Sequence, residues 1–345
     1  MPSRLSNDVA NRLSSRARWQ PLEFAFWLAV AASFILLPDR HLILTEIAIL
    51  GLFALSLDLI LGYAGVISLG HAAFFGFGAY AAGLLAKHEL INEPVIAMLA
   101  SGAIAAALGF ATSFLVLRGS DLTRLMVTLG VALVLREVAN KLDWLTGGAD
   151  GLQGITMAPV LGVFEFDIAG RTAYIYSATV VFALFLIARR VAVSPFGLSL
   201  RSIKDNPLRA AAVGIPVTRR LIAVYTVSAG YAGIAGALLA QTTQFASLSV
   251  FDFDRSADVL LVLIIGGVGY LYGGFIGAIV FKLGQDWLSH VTPQYWHFWV
   301  GLFLVIFVLV GRDRLMRWHA AVRASVARLG ASRRAQPAAG QAVRD

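Results

Sequence analysis

The sequence predicts an all-α polytopic membrane protein, and three observations carry that prediction. Of the 345 residues only 14% are charged and 58% are hydrophobic, with a mean hydropathy of +0.76; soluble domains carry about 25% charged residues. Several near-continuous apolar runs have the roughly 20 residues that a helix needs to cross a bilayer. The 33 glycines and 22 phenylalanines suit helices that pack closely within lipid.

The same composition excludes several functions. Without cysteine there are no disulfides and no thiolate metal site. The net charge of +8 comes from Lys and Arg at helix ends and in tails, where they set topology and do not call for nucleic acid. The six histidines are scattered, no catalytic constellation or metal-ligand spacing is visible, and no phosphate-binding GxxxxGK[ST] motif occurs. Residues 1–20 are polar and basic, and the apolar run after them lacks a small-x-small cleavage site, so no cleavable signal peptide is expected.

In chain order, a basic tail (1–21) precedes a first span at 22–37, closed by Pro38-Asp39-Arg40. The second span is expected at 42–61, the third at 67–86 and the fourth at 94–117, before a polar turn from Arg118 to Arg124. The fifth, 123–140, contains the adjacent charges Arg136 and Glu137, which do not share a helix face and need separate partners. A connector, 141–172, leads to a sixth span at 173–188, and a basic segment, 189–220, leads to a seventh at 221–241. After a second connector at 242–257, the region 258–284 is interrupted by glycines and reads as two short helices meeting at a break; a last span is placed at 297–311. The tail 312–345 is basic and rich in Ala, Gly, Pro and Gln, a composition that does not build a core. About eight to ten membrane segments result, ten if the broken region counts as two.

Charge orients this bundle. With the N-terminal tail inside, that tail, the 118–124 turn, the 189–220 segment and the C-terminal tail hold 21 of the 28 Lys and Arg residues on the inner side, in keeping with the positive-inside rule. Within 189–220, Ser194-Pro195 and Phe196-Gly197 break the helix leaving the membrane. Asn206-Pro207 then starts a short helix at 207–213, preceded by Asp205 and stopped by Gly214 and Pro216. Such a helix is too short to stand alone in water. It is either a topogenic loop lying on headgroups or a contact gripped by another protein.

Glycine patterns mark close packing. Gly269, Gly273 and Gly277 form a GxxxGxxxG series, and Gly230, Gly233 and Gly236 give the seventh span a small-residue face. Gly266, Gly267, Gly269, Gly273 and Gly277 together are expected to permit packing or gating at the break, with non-helical backbone buried by protein or facing a cavity. His71 and Phe75 stand near the start of the third span, where His71 either faces a pathway or makes a packing hydrogen bond. Asp58 is expected to satisfy itself near the inner interface.

Four stretches in order then resemble a known family. The runs LSLDLILGYAGVISLGHAAFFGFGAYAAGLL (55–85), TGGADGLQGI (146–155), GLSLRSIKDNPLRAAAVGI (197–215) and IIGGVGYLYGGFIGAIV (264–280) are similar to the high-affinity branched-chain amino-acid ABC permeases of the LivM type, and together they cover most of 43–311. Two departures stand out: Lys204, Asp205, Asn206 and Pro207 replace part of an acidic pattern in the family's coupling loop, and Gly274 stands where the pattern often has Pro. The resemblance implies a type II ABC importer-like bundle at 22–311, multi-pass in a bacterial cytoplasmic (inner) membrane with both termini cytoplasmic. Its implied partners are a second homologous permease subunit, two cytosolic ATPase subunits that carry ATP and magnesium, and an external or periplasmic solute-binding protein. Arg201, Lys204, Asp205, Arg209 and Gly214 would couple to the ATPases; this chain would bind no cofactor and catalyse no covalent step. The implied cargo is branched-chain amino acids, with urea, short-chain amides or aromatic and organic acids as alternatives within the family. An ion-coupled secondary transporter is the alternative outside it.

Overall fold

The computed structural model describes residues 21–291 except Ser120 and Ile168, together with Phe298, Trp299, Gly301 and Leu302. The basic tails and most of the expected last span lie outside these residues. Twelve α-helices are present among them: α1 (Pro21–Leu36), α2 (His41–Leu57), α3 (Ala72–Lys87), α4 (Pro94–Val116), α5 (Asp121–Lys141), α6 (Asp143–Thr146), α7 (Arg171–Val193), α8 (Pro195–Asp205), α9 (Pro207–Ala212), α10 (Val217–Thr243), α11 (Phe253–Gly266) and α12 (Gly273–Val291). A π-helical turn, Asp58–Gly62, extends α2. Extended pairing among the described residues is limited to isolated bridges, Leu152 with Ala246 and Val160 with Phe164.

Four helical stretches are long and apolar enough to cross a membrane, Pro38–Gly62, Pro94–Val116, Arg171–Val193 and Val217–Thr243; Glu23–Leu36 and Ala72–Lys87 are shorter apolar helices. Large apolar side chains face outward along these elements, including Leu28, Ile35, Phe110 and Leu115. An apolar exterior around a helical interior is what a lipid solvent requires. The protein is an all-α, multi-pass membrane protein.

The core is organised on α10, which packs against α2, α3 and α4. The glycine face read from the sequence makes these contacts. A Cβ on Gly233 would run into Ala105, one on Gly78 into the Gly233 carbonyl, and one on Gly236 into the Phe75 carbonyl. Helices in lipid gain little from hydrophobic burial, so this close backbone approach is the source of cohesion. Buried Gln241 adds a polar tie: its Oε1 accepts from the Tyr176 hydroxyl of α7 at 3.0 Å, and its Nε2 donates to the Pro94 carbonyl of α4 at 2.8 Å.

Several boundaries differ from the sequence reading: the seventh span begins at Val217, not 221, the second helix of the broken region is 19 residues long and runs to Val291, not 284, and four further differences have a visible cause. The third helix begins at Ala72, not 67, because distant hydroxyls take up the backbone before it: Leu69 N–H donates to Thr128 Oγ1 of α5 at 3.3 Å, and Ala72 N–H to Ser256 Oγ of α11 at 3.0 Å. The sixth span runs five residues beyond 188, to Val193, since Arg189 pairs with Glu23 of α1 at 3.0 Å and stays largely buried. Residues 198–205, between the break at Phe196-Gly197 and the expected short helix, lie within α8, whose buried residues Leu200 and Ile203 give it an inward face. The 242–257 connector is folded too: Phe251 is buried, stacks on Tyr80 with ring centroids 5.5 Å apart, and α11 starts at Phe253.

The adjacent charges of α5 have separate partners, Arg136 with Asp252 at 2.7 Å and Glu137 with Lys141 at 3.9 Å. Glu46 meets Lys282 at 2.7 Å. Contacts divide the chain into a unit ending at Leu283 and a second beginning at Gly284. In the second, Ser289 Oγ donates to the Asp286 carbonyl at 2.8 Å, and His290 lies 3.7 Å from the Asp286 carboxylate.

Candidate coupling site and glycine break

The basic segment is a pair of helices with a sharp entry and a sharp joint. Ser194 leaves α7 in an extended conformation, its hydroxyl accepts from Gly197 N–H at 3.4 Å, and Pro195 opens α8. Proline is accommodated there because the first helical N–H has no partner to lose. Gly197 sits against the Ala192 carbonyl, where a Cβ would overlap it. Asn206 separates α8 from α9; it is extended, and its Oδ1 accepts from Arg209 N–H at 2.9 Å. This is the N-cap that Asn favours. The segment ends at Gly214 with φ +87°, a backbone conformation that glycine adopts without steric cost.

The five expected coupling residues divide into two groups. Asp205, Arg209 and Gly214 are exposed, next to Leu208 at 84% and Val213 at 73% exposure. Arg201, half-buried, and Lys204, itself exposed, send their charged ends back to the helix bundle. The Arg201 guanidinium lies 4.9 Å above the Tyr63 ring, and Lys204 Nζ donates to the Gly62 carbonyl at 2.8 Å. Leu208 and Val213 were not among the expected residues; the signal for them was two apolar side chains flanking Arg209 on a helix too short to bury both.

The break between α11 and α12 is compact. Gly267 and Gly269 have φ of +107° and +82°, which turns the chain without a side chain in the way. Gly266 abuts the Gly273 carbonyl, Gly273 the Gly267 carbonyl, and Gly277 the Val262 carbonyl, so the two helices meet backbone to backbone. Gly274 packs on α2; a Cβ there would stand 3.0 Å from that of Ala54. Gly269 N–H donates to Asp58 Oδ1 at 2.6 Å, and Asp58 is fully buried.

His71 and Phe75 are buried in the helix core. His71 Nε2 lies 2.9 Å from Ser56 Oγ of α2 and 3.4 Å from Ser228 Oγ of α10, while its ring stacks on Phe53 at 5.7 Å. Phe75 packs on Phe53 at 4.6 Å. Neither lines either of two clefts formed by the described residues. One, of 690 Å³, has Glu23, Arg189, Arg201, Tyr63 and Tyr270 on its walls. The other, of 430 Å³, is almost wholly apolar, between residues such as Phe77, Leu84, Leu135 and Phe251. Among the described residues no cluster of three or more His, Asp or Glu is placed to hold a metal ion.

The amino-acid sequence aligns with known proteins. The profile of the family described as branched-chain amino acid transport system / permease component matches residues 41–310. The high-affinity branched-chain amino acid transport system permease proteins LivM of Salmonella typhimurium and Escherichia coli are each 27% identical over 281 residues, 75% of this chain and 66% of theirs. The chain thus spans just under two thirds of the length of those relatives. The fructose import permease protein FrcC of Rhizobium meliloti is 26% identical over 301 residues, 83% of this chain and 81% of its own. No solved structure matches the chain.

Proposed function

The chain belongs to the branched-chain amino acid transport system permease family, as a non-catalytic membrane permease component of an ABC transport system, and from that premise we propose that it imports branched-chain amino acids by alternating access. Two cytosolic ATPases, loaded with ATP and magnesium, drive the cycle. A second homologous permease subunit completes the pathway, and an external solute-binding protein delivers the cargo. Both termini and the α8–α9 segment lie on the cytoplasmic side of a bacterial inner membrane, with residues 22–311 forming the permease domain between two basic tails. Family membership speaks against the ion-coupled alternative.

One observation carries the docking part of this reading. Helix α9 and its C-terminal cap hold Leu208, Arg209 and Val213 in the open between two membrane helices, and exposed apolar residues flanked by charge suit a protein groove better than water. Asp205, Arg209 and Gly214 form the outer contact, while Arg201 and Lys204 fasten the segment to the bundle. The glycines 266, 267, 269, 273 and 277 let the broken region pack and gate. The cargo assignment is supported by the two LivM relatives. Carbohydrate is the second reading, because FrcC and an L-arabinose permease, AraH of Azospirillum brasilense, align over 83% and 79% of this chain.

Co-purification tests the assembly. A cytosolic ATPase should purify with the full chain and be lost when 204–214 is deleted, with membrane insertion intact. A fully active transporter purified without an ATPase would overturn the reading. Calorimetric screening of the cognate solute-binding protein with leucine, isoleucine, valine, urea, short-chain amides, aromatic acids, fructose and arabinose decides the cargo, and saturation by a sugar alone would replace the amino acid.

A further inference from the structure

We infer that Asp58 is a positioning residue that joins the coupling helices to the glycine break; the inference rests on the ATPase-docking reading above. Between α2 and α3 the chain passes through the π-helical turn Asp58–Gly62 and on to Gly65. Wider turns of this kind recur at functional sites. On one side this segment is held by α8. Lys204 Nζ donates to the Gly62 carbonyl at 2.8 Å, the Lys204 Cγ would stand 2.9 Å from a Cβ on Gly65, and Arg201 covers the Tyr63 ring.

On the other side the same turn touches the break. Asp58 Oδ1 accepts from Gly269 N–H at 2.6 Å, and a Cβ on Gly62 would stand 2.7 Å from that same nitrogen. Residues 267–272 lie between two helices, so the Gly269 amide has no place in either helical ladder, and Asp58 supplies its acceptor. A carboxyl group inside an apolar span is costly to bury and is kept where it performs a task. Five residues therefore connect two elements distant in sequence, the α8–α9 segment and the α11–α12 turn. A push on α8 reaches Gly62 through the Lys204 side chain and, one helical turn away, reaches Gly269 through the Asp58 side chain.

A cap that merely stabilises the turn would act on folding alone, whereas a joint changes how much cargo moves per ATP. The test uses the assembled complex in proteoliposomes with its solute-binding protein and radiolabelled L-leucine, or D-fructose if the wild-type complex moves that instead. ATP hydrolysis and accumulated substrate are measured together. Asp58→Ala is expected to keep hydrolysis within about twofold of wild type and to lower substrate moved per ATP at least tenfold. Asp58→Asn, whose amide oxygen still accepts from Gly269, should bring the ratio back to within about threefold. Lys204→Met, which leaves the Asp58–Gly269 bond in place, should lower the ratio as Asp58→Ala does, and it stands as the test if the alanine variant does not assemble. A wild-type ratio in Asp58→Ala or Lys204→Met, or a parallel fall of hydrolysis and transport in both Asp58 variants, would overturn the inference. Failure of the docking reading would show separately, as a wild-type chain that binds no ATPase.

Discussion

Truncating Leu208 to Ala should weaken ATPase binding without harming the permease. Leu208 is 84% exposed, on a helix held in the chain by buried Ala210 and by the Asn206 cap. The change removes three carbon groups and improves helix propensity, so the bundle loses nothing. If the side chain is buried in an ATPase groove, those groups contribute about 2.4 kcal/mol when fully buried, at about 0.8 kcal/mol each. Scaling by the area now open to water leaves about 2 kcal/mol, or roughly a 30-fold rise in Kd at 1.4 kcal/mol per tenfold. The assay is biolayer interferometry of purified ATPase over nanodisc-embedded permease. Leu28→Ala serves as control, since Leu28 is 73% exposed on α1 and is not part of the coupling segment. Equal affinities for Leu208→Ala, Leu28→Ala and wild type would refute the claim that α9 is gripped by a groove.

Arg209→Glu should reverse the charge at the same surface and depress substrate-dependent ATP hydrolysis, with membrane insertion unchanged in a fractionation assay. Gly236→Ala drives a Cβ into the Phe75 carbonyl, whereas at Gly230 the Cβ meets Ala106 at 3.3 Å and a small shift absorbs it. The first should cost about 3 kcal/mol by overpacking and the second less than about 1, read as a lower apparent melting temperature for Gly236→Ala alone. Gly269→Leu places a branched side chain at φ +82°. It should reduce assembled, monodisperse protein in size-exclusion chromatography, and normal transport by this variant would remove the tight-turn requirement. Ser228→Ala deletes one hydroxyl near His71 and should lower stability by about 1 kcal/mol while leaving the transport KM unchanged; a KM shift would make His71 part of a substrate path.

Much of the fold was legible because lipid imposes simple rules. A helix that must satisfy its own backbone shows up as an apolar run, and Pro94, Pro195 and Pro207 each open a helix at the position where proline is accommodated. The glycine spacing of α10 was legible for the same reason, since close approach is the main source of cohesion. The misreadings share a cause. Thr128 and Ser256 take up the N–H groups of Leu69 and Ala72 from 59 and 184 residues away in sequence, and no local pattern announces such partners. Likewise α8 was missed because its inward face is only a few residues wide, with Leu200 and Ile203 separated by polar neighbours. At the candidate site, the boundaries at Ser194, Asn206 and Gly214 were written in turn and cap residues. The inward reach of Arg201 and Lys204 was not, because it depends on where the turn after α2 lies in space. Asp58 carried a signal, a carboxyl in an apolar span, but its partner is the Gly269 amide, 211 residues on.

The kinds of contact sort with the work each region has to do. Around α10 the helices touch through glycine and carbonyl groups with no room for an added methyl, as at Gly78 and Gly236. Such packing has one solution, and sliding it would create overlap before it created a new fit. The ties that α8 and the turn at Gly269 make to the segment after α2 are of another kind: single hydrogen bonds, Lys204 to Gly62 and Asp58 to Gly269, and one ring under a guanidinium. Each of those can lengthen or exchange for a net cost of about 1 kcal/mol in the neutral case and about 1.5–3 where a charge is involved, a small cost for the ATP-driven cycle proposed above. A transporter of this kind needs a rigid body and a yielding joint in one chain. The sequence builds the first from small residues in a row, and the second from isolated polar groups set among glycines.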